Sequence, residues 1–283
     1  MPLLPADALR DVRLGVSASV SPDLPRLGLL EDHFRLVLGE IVRLVLVSSG
    51  RLVYGGHLKH TGYTAMMINE LHKYARRDRP LTVCLAWSVH RQMSLRALDD
   101  AKGELGLYGR LVCLDIDGNE IQPDSDRGDV PAPPLSGEDE QRSLTSLRRY
   151  LTAHVDGRIL IGGKRHDFGG RVPGLMEEAL FALQAEQPLF LAGGFGGATH
   201  EIVRALSVDD GSWLPTVADA LPDDERLVQG RNELEAFRRG ATWAGLRNGL
   251  SDEENRRLAA SHRSSDIAAL VGMGLGRVFG HGV

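Results

Sequence analysis

The chain has 283 residues, of which 42% are hydrophobic and 25% charged, with a formal net charge of −5. That length suits one large α/β domain with extra elements and a core that needs no staples. The acidic balance argues against nonspecific binding to nucleic acid and leaves room for a local basic pocket. No uninterrupted apolar run approaches the ~20 residues needed to span a bilayer. The opening Met-Pro-Leu-Leu-Pro-Ala-Asp lacks the basic start and long apolar core of a secretory signal, so a cytoplasmic protein is expected. Cys84 and Cys113 sit inside apolar runs, the setting of buried free thiols, and no metal-type cysteine spacing exists.

In chain order, Val12 to Ser19 alternates as a first strand, and Ser21-Pro22-Asp23 with Pro25 then punctuates a loop. Glu31 to Ser48 carries Phe34, Val37, Leu38, Ile41, Val42, Val45 and Leu46 at helical spacing. Arg51 to Tyr54 reads as the second strand, Tyr63 to Ala75 as a helix, and Leu81 to Trp87 as a nearly continuous apolar strand. A helix-like segment from Leu95 to Leu105 precedes a strand at Arg110 to Asp115 and a turn at Asp117-Gly118-Asn119. Pro123 to Gly137 is the most loop-like stretch, and a helix follows it as far as His154. Strands at 158–161 and 188–192 come next, with helices at Leu175 to Ala185 and Thr199 to Leu206. From Trp213 onward the texture is helical only. Ser251-Asp-Glu-Glu254 has capping-box spacing, and Ser265-Asp266 opens another helix. The pattern predicts a doubly wound, mostly parallel Rossmann-like sheet over 1–212, with a helical extension over 213–283 packed on the sheet or on a second subunit.

Three apolar strands end in glycines. Arg51-Leu-Val-Tyr runs into Gly55-Gly56-His57, and Arg158-Ile-Leu-Ile into Gly162-Gly163-Lys164-Arg165. Pro188-Leu-Phe-Leu-Ala runs into Gly193-Gly194-Phe195-Gly196-Gly197-Ala198. Glycines there permit positive φ and bring backbone N–H groups close to a ligand, and a following helix adds its positive end. Together such ends would cradle an anion beyond the carboxyl edge of the sheet.

The individual residues leave alternatives. Lys164 and Arg165 either contact phosphate or are solvated in a loop; no hydroxyl follows Lys164, so a magnesium-bound triphosphate is not supported. The Gly194 to Ala198 run partly resembles a dinucleotide fingerprint but lacks the later ribose-binding acid, and Phe195 either stacks on a base or packs in the core. Pro173-Gly174-Leu-Met-Glu177-Glu178 puts two carboxylates in a helix's first turn, where they complement the macrodipole or, facing the glycine loops, serve a ribose or a water. Ser17 and Ser19 offer hydroxyls to a phosphate or sugar, or satisfy loop backbone. His57 and His60 have no third partner for a metal. No metal and no cofactor is expected.

Ser17-Ala18-Ser19, Gly55-Gly56-His57 and Gly162-Gly163 with Pro173-Gly174 and Glu177 resemble the SLOG superfamily over about the first two hundred residues. That superfamily includes LOG-type nucleotide phosphoribohydrolases, DprA-type proteins, and sensor domains of TRPM channels and bacterial conflict systems. The resemblance implies a Rossmann-like sheet that binds a nucleotide or nucleotide-derived ligand, often related to ADP-ribose. LOG-type enzymes carry Pro-Gly-Gly-x-Gly-Thr-x-x-Glu; Gly162-Gly163 matches the glycine pair and Glu177 or Glu178 the glutamate. Here Lys164 to Val172 intervenes and the Gly-Thr pair is absent.

The leading expectation is a module that binds or senses a nucleotide-derived ligand through Ser17, Ser19, Gly55, Gly56, His57, Gly162, Gly163, Lys164, Arg165, Gly174, Gly193, Gly194, Phe195, Gly196 and Gly197. The alternative is a LOG-like hydrolase using Glu177 or Glu178 with Arg165 or Arg171. A third is an interaction subunit whose tail, including Ile267 to Val271 and Leu275, assembles a homo-oligomer around a vestigial pocket.

Overall fold

The structure is a computed structural model that describes residues 4–58, 62–74, 79–127, 129, 131–215 and 224–280. Its centre is a seven-stranded sheet made of β1 (Arg13–Ser19), β2 (Arg51–Gly55), β3 (Leu81–Leu85), β4 (Gly109–Leu114), β5 (Glu120–Ile121), β6 (Gly157–Gly162) and β7 (Leu189–Ala192). Their spatial order is β5-β4-β3-β2-β1-β6-β7. All neighbours are parallel except β5, which is antiparallel to β4. The central strands read as continuous apolar runs because helices cover both faces; β6 and β7 are buried along their whole length.

One face carries α1 (Glu31–Val47), α2 (Tyr63–Tyr74) and α4 (Leu95–Leu105), with α11 (Ser264–Phe279) laid along α1. Phe34, Val37, Leu38, Ile41, Val42 and Val45 of α1 share a core with Ile267, Leu270, Val271 and Leu275 of α11 and with Leu14, Val16, Ile159 and Ile161 of the sheet. Each such side chain contributes roughly 1.5–3 kcal/mol on burial. The other face carries α6 (Gly137–Ala153), α7 (Gly174–Gln184), α8 (Gly197–Ala205) and α9 (Glu225–Arg239). Leu147 and Leu151 pack on Val53, Cys84 and Val112, and Leu175, Leu180, Ile202, Leu227 and Leu234 enclose Leu160 and Leu191. Between α9 and α11, α10 (Asp252–Ala260) packs on β7. It starts at the capping box that Ser251 and Glu254 form. No helix among the described residues is long and apolar enough to cross a membrane.

The structure departs from the sequence pattern around the sheet's far edge. The apolar run from Leu81 stops as a strand at Leu85, and Ala86 caps a one-turn helix, α3 (Trp87–His90), by accepting from the Val89 and His90 amides. Asp117-Gly118-Asn119 is a hairpin turn, held by the Asp115 carboxylate accepting from the Asp117 and Asn119 amides at 2.9 Å each, and it returns the chain as β5. Two paired residues carry too little periodicity to be seen in the sequence. The loop-like stretch that follows opens with one helical turn, α5 (Pro123–Asp126), begun by a proline at its first position. At the opposite edge, the Leu189 amide donates to the Leu246 carbonyl at 2.9 Å, and Asn248 Nδ2 donates to the Leu189 carbonyl at 2.8 Å.

Cys84 and Cys113 are buried free thiols, pushed up by burial to about 12 and about 11 respectively. His90 and His200 are also buried, and desolvation holds both below the ordinary imidazole range. His90 Nε2 meets the Leu114 carbonyl at 2.8 Å and His200 Nε2 the Gly211 carbonyl at 3.2 Å. A depressed folded-state pKa stabilises the fold above the unfolded value of about 6.5, and that stability is lost as pH falls through it. The melting temperature is therefore expected to fall between about pH 7 and about pH 5. In the His90→Gln, His200→Gln variant the slope of melting temperature against pH over that window should be shallower than in the parent protein.

Candidate functional site

The chain leaves β1 for one face of the sheet and β6 for the other, so the crevice between their carboxyl ends is the topological switch point where ligands of such sheets lie. Register fixes the two ends at one level: Ser17 lies beside Leu160 and Ser19 beside Gly162. Because β1, β2, β6 and β7 are all parallel, the glycine runs after β2, β6 and β7 emerge at the same rim.

Those after β6 and β7 are in direct backbone contact. The Gly163 amide donates to the Ser19 carbonyl at 2.9 Å, the Ala198 amide to the Gly163 carbonyl at 3.1 Å, and Thr199 Oγ1 to the Gly162 carbonyl at 2.9 Å. A Cβ on Gly163 would stand 2.9 Å from both Ala198 Cβ and Leu175 Cδ2. Gly197 has φ +67° and would drive a Cβ into the Gly163 carbonyl, so only glycine fits there. Gly193 and Gly194 approach the carbonyls of Ala259 and Ser261 at the end of α10. Phe195 is fully buried and edge-on to Phe34, with ring centroids 5.5 Å apart. Of its two sequence readings, core packing is the one this placement matches.

At the switch point itself lies a residue that sequence reasoning read only as loop punctuation. Asp23 is 5% exposed, and its Oδ2 accepts from the Gly197 amide, the first N–H of α8, at 2.6 Å. Its Oδ1 lies 2.9 Å from an Arg26 guanidinium nitrogen and 3.8 Å from one of Arg165. Arg165 reaches on to Glu201 Oε1 at 3.3 Å, and Arg231 pairs with Glu201 Oε2 at 3.2 Å. The loop after β1, the loop after β6 and helices α8 and α9 are thereby tied through five charged side chains. Lys164 is exposed and donates to the Asp167 carbonyl at 3.2 Å.

Beneath the rim, on the α6–α7 face, the two candidate catalytic carboxylates are held in ion pairs. Glu178 pairs with Arg158 and accepts from Ser17 Oγ. Arg158, 1% exposed, also donates to Ser17 Oγ at 2.9 Å and Thr152 Oγ1 at 3.3 Å. Burial lowers the Arg158 pKa from its usual value, opposed by Glu178. Glu177, 1% exposed, accepts from Thr145 Oγ1 at 2.9 Å and from Arg148 at 2.5 Å. Arg171 stands 3.8 Å from Glu177 and is engaged by Glu233 at 2.5 and 2.9 Å, which raises its pKa. Gly174 leaves room for Arg148, whose Nη2 would lie 2.7 Å from an added Cβ.

The remaining candidates are dispersed along the rim. Gly55 and Gly56 lie on Leu151 and the Tyr54 ring, and the exposed His57 gives its carbonyl to Thr64 at 2.8 Å. Ser19 is half-buried. His60 falls outside the described residues. No group of three or more His, Cys, Asp or Glu side chains among the described residues could hold a metal ion.

Strand order, register and a glycine-started helix at the switch point define a doubly wound, Rossmann-like α/β protein whose rim is arranged around negative charge. The family model described as SLOG cluster2 matches residues 8–258, and the chain belongs to the SLOG superfamily. The match continues through α9 into α10, past the end of the glycine-rich region that carries the resemblance in the sequence. No curated protein matches the chain.

Two variants test this geometry. Gly197→Ala is expected to cost about 1–3 kcal/mol in denaturant unfolding, from the left-handed backbone and the contact with Gly163. Arg158→Met leaves the partly buried Glu178 without its cation and is expected to cost about 3 kcal/mol, whereas Arg158→Met with Glu178→Leu should recover most of that loss.

Proposed function

We propose that this protein binds a nucleotide-derived ligand, of the ADP-ribose or nucleoside-phosphate class, at the carboxyl rim between β1 and β6, and that it recognises the ligand without cleaving it. The observation that carries this reading is a negative charge already held there, between the first amide of α8 and two guanidiniums. A helix N-terminus with converging arginines is the arrangement that binds phosphate oxygens. Gly163, Arg165, Gly196 and Gly197 would form the phosphate end of the site. Ser19, Lys164 and His57 line the rim on either side and would reach the sugar or base. Membership of the SLOG superfamily supports a nucleotide-related ligand.

The state of the two carboxylates favours recognition over hydrolysis. A glutamate that helps water attack a ribose carbon must touch the reacting atoms, yet Glu177 is 1% exposed and bonded to Thr145 and Arg148. Glu178 is bonded to Ser17 and Arg158.

Thermal unfolding against ADP-ribose, AMP and inorganic phosphate tests the reading. At about one hundred times Kd a ligand adds about 2.7 kcal/mol of stability, so a clear upward shift is expected with ADP-ribose or AMP, and chromatography of the same mixture should show no free base. Release of base and ribose phosphate that disappears in Glu177→Gln or Glu178→Gln would instead establish the hydrolase reading; no shift with any of the three would remove the binding reading.

A further inference from the structure

We propose that Arg226, in the first turn of α9, is a positioning residue for the ligand site: it holds the loop between β6 and α7 in the path that brings Lys164 and Arg165 to the rim. The inference rests on the ligand reading above and adds a residue of α9 to the machinery of that site.

Three observations carry it. The first is how little the loop's own residues restrain it. Between Gly163 and Pro173, Asp167 has a left-handed backbone at φ +54°, and Gly169-Gly170 come soon after it. Glycines leave many backbone conformations open, so the path of this stretch is set by what packs against it. Arg148 of α6 shapes the exit, where its nitrogens would stand 2.8 and 2.7 Å from a Cβ added to Gly170 and to Gly174.

The second is where α9 takes hold of the loop. Arg226 Nη1 donates to the carbonyls of Phe168 and Gly170 at 3.1 and 3.2 Å. Its guanidinium carbon lies 4.3 Å from the centroid of the Phe168 ring, within the range of a cation–π contact. The same guanidinium is fixed in turn by Asp224, the N-cap of α9: Nε and Nη2 donate to Asp224 Oδ1 and Oδ2 at 3.2 and 2.8 Å. A rigid, planar fork of donors is suited to gripping carbonyls with one nitrogen and a carboxylate with the others. Two further ties join the loop to α8 and α9, Arg165 with Glu201 at 3.3 Å and Arg171 with Glu233 at 2.5 and 2.9 Å. Those two link side chain to side chain, whereas Arg226 bonds the loop's main chain and so sets its path.

The third is what depends on that path. Lys164 Nζ donates at 3.2 Å to the carbonyl of Asp167, the residue before Phe168. Arg165, shortly before it in the chain, stands between Asp23 and Glu201. A shift of the Phe168 segment therefore moves the lysine's anchor and pulls on the arginine. The SLOG family model runs through α9 to residue 258, so the helix that supplies Arg226 belongs to the matched region.

Calorimetric titration of ADP-ribose and of AMP into the full chain tests this, at a temperature where circular dichroism shows each protein folded. The proteins are the parent, Arg226→Ala, Phe168→Leu and, as a control at the far edge of the sheet, Arg110→Ala, which removes an exposed ion pair with Glu120. Arg226→Ala is expected to weaken whichever ligand the parent binds by about tenfold or more, as the fraction of molecules with the loop in place falls. Methylguanidinium added to that variant should restore most of the loss by refilling the space between Asp224 and Phe168. Phe168→Leu is expected to weaken binding in the same direction, and Arg110→Ala to bind as the parent does. If Arg226→Ala fails to fold, Phe168→Leu decides: weaker binding supports the proposal and parent-like binding overturns it. A role confined to stability leaves the affinity of the folded protein unchanged, so parent-like binding by Arg226→Ala overturns the positioning role while the ligand reading stands. A weakening that methylguanidinium leaves in place overturns it as well. If the parent binds neither probe, both the positioning role and the ligand reading fail.

Discussion

Contact between two turns of main chain, Gly162-Gly163 after β6 and Gly196-Gly197 before α8, sets the geometry of the whole rim. Directly after the second turn, the Ala198 amide and the Thr199 hydroxyl donate to the Gly163 and Gly162 carbonyls, an approach that is feasible only where no Cβ stands between the turns. That contact fixes the direction in which α8 leaves the sheet, and so fixes where its first amide points. Asp23, Arg26 and Arg165 follow from it, since each reaches the same amide or its carboxylate. The rim is a place where backbone dipoles and charge have been brought to close range in a region of reduced solvent access, and both effects strengthen electrostatic interaction.

Below the rim, the network of Arg148, Arg158, Glu177 and Glu178 has a different character. Its members are bonded to one another and to Ser17, Thr145 and Thr152 across β1, β6, α6 and α7. Two largely buried ion pairs contribute little net stability over an apolar filling, but removing one partner from either is costly. The network joins the two helices to the sheet through Glu177 and Glu178, the carboxylates that match the LOG-type glutamate.

Much of the fold was legible because the parallel strands are continuous apolar runs and the helices carry long periodic faces, as with α1 and its seven spaced apolar positions. The capping box at Ser251 was legible for a similar reason: its signal lies within four residues. The site was legible in outline only. A glycine pair at a strand end has the same appearance whether the missing Cβ admits a ligand or another piece of backbone, and here Gly163 and Gly197 admit each other. Asp23 reads as turn punctuation in Ser-Pro-Asp, and Glu201 as one more helix residue; both acquire meaning only when the order β1-β6-β7 brings three loops together. Glu201 does have a faint sequence signal, an acid inside the first two turns of a helix opened by glycines. Glu177 and Glu178 show the same limit: their spacing is visible in the sequence, but the arginines paired with them come from α6 and β6 and are not local.

The two margins of the sheet are closed in different ways. β5 is a two-residue strand whose Glu120 is tied to Arg110 and Tyr150, and β7 has the amide and carbonyl of Leu189 taken by Leu246 and Asn248, with α10 packed against it. A two-residue strand at one border and a covered strand at the other leave a foreign strand little ladder to extend, one of the ways native sheets avoid edge-to-edge aggregation. Contact between chains at these borders would therefore have to be made by side chains and helices rather than by the addition of a strand.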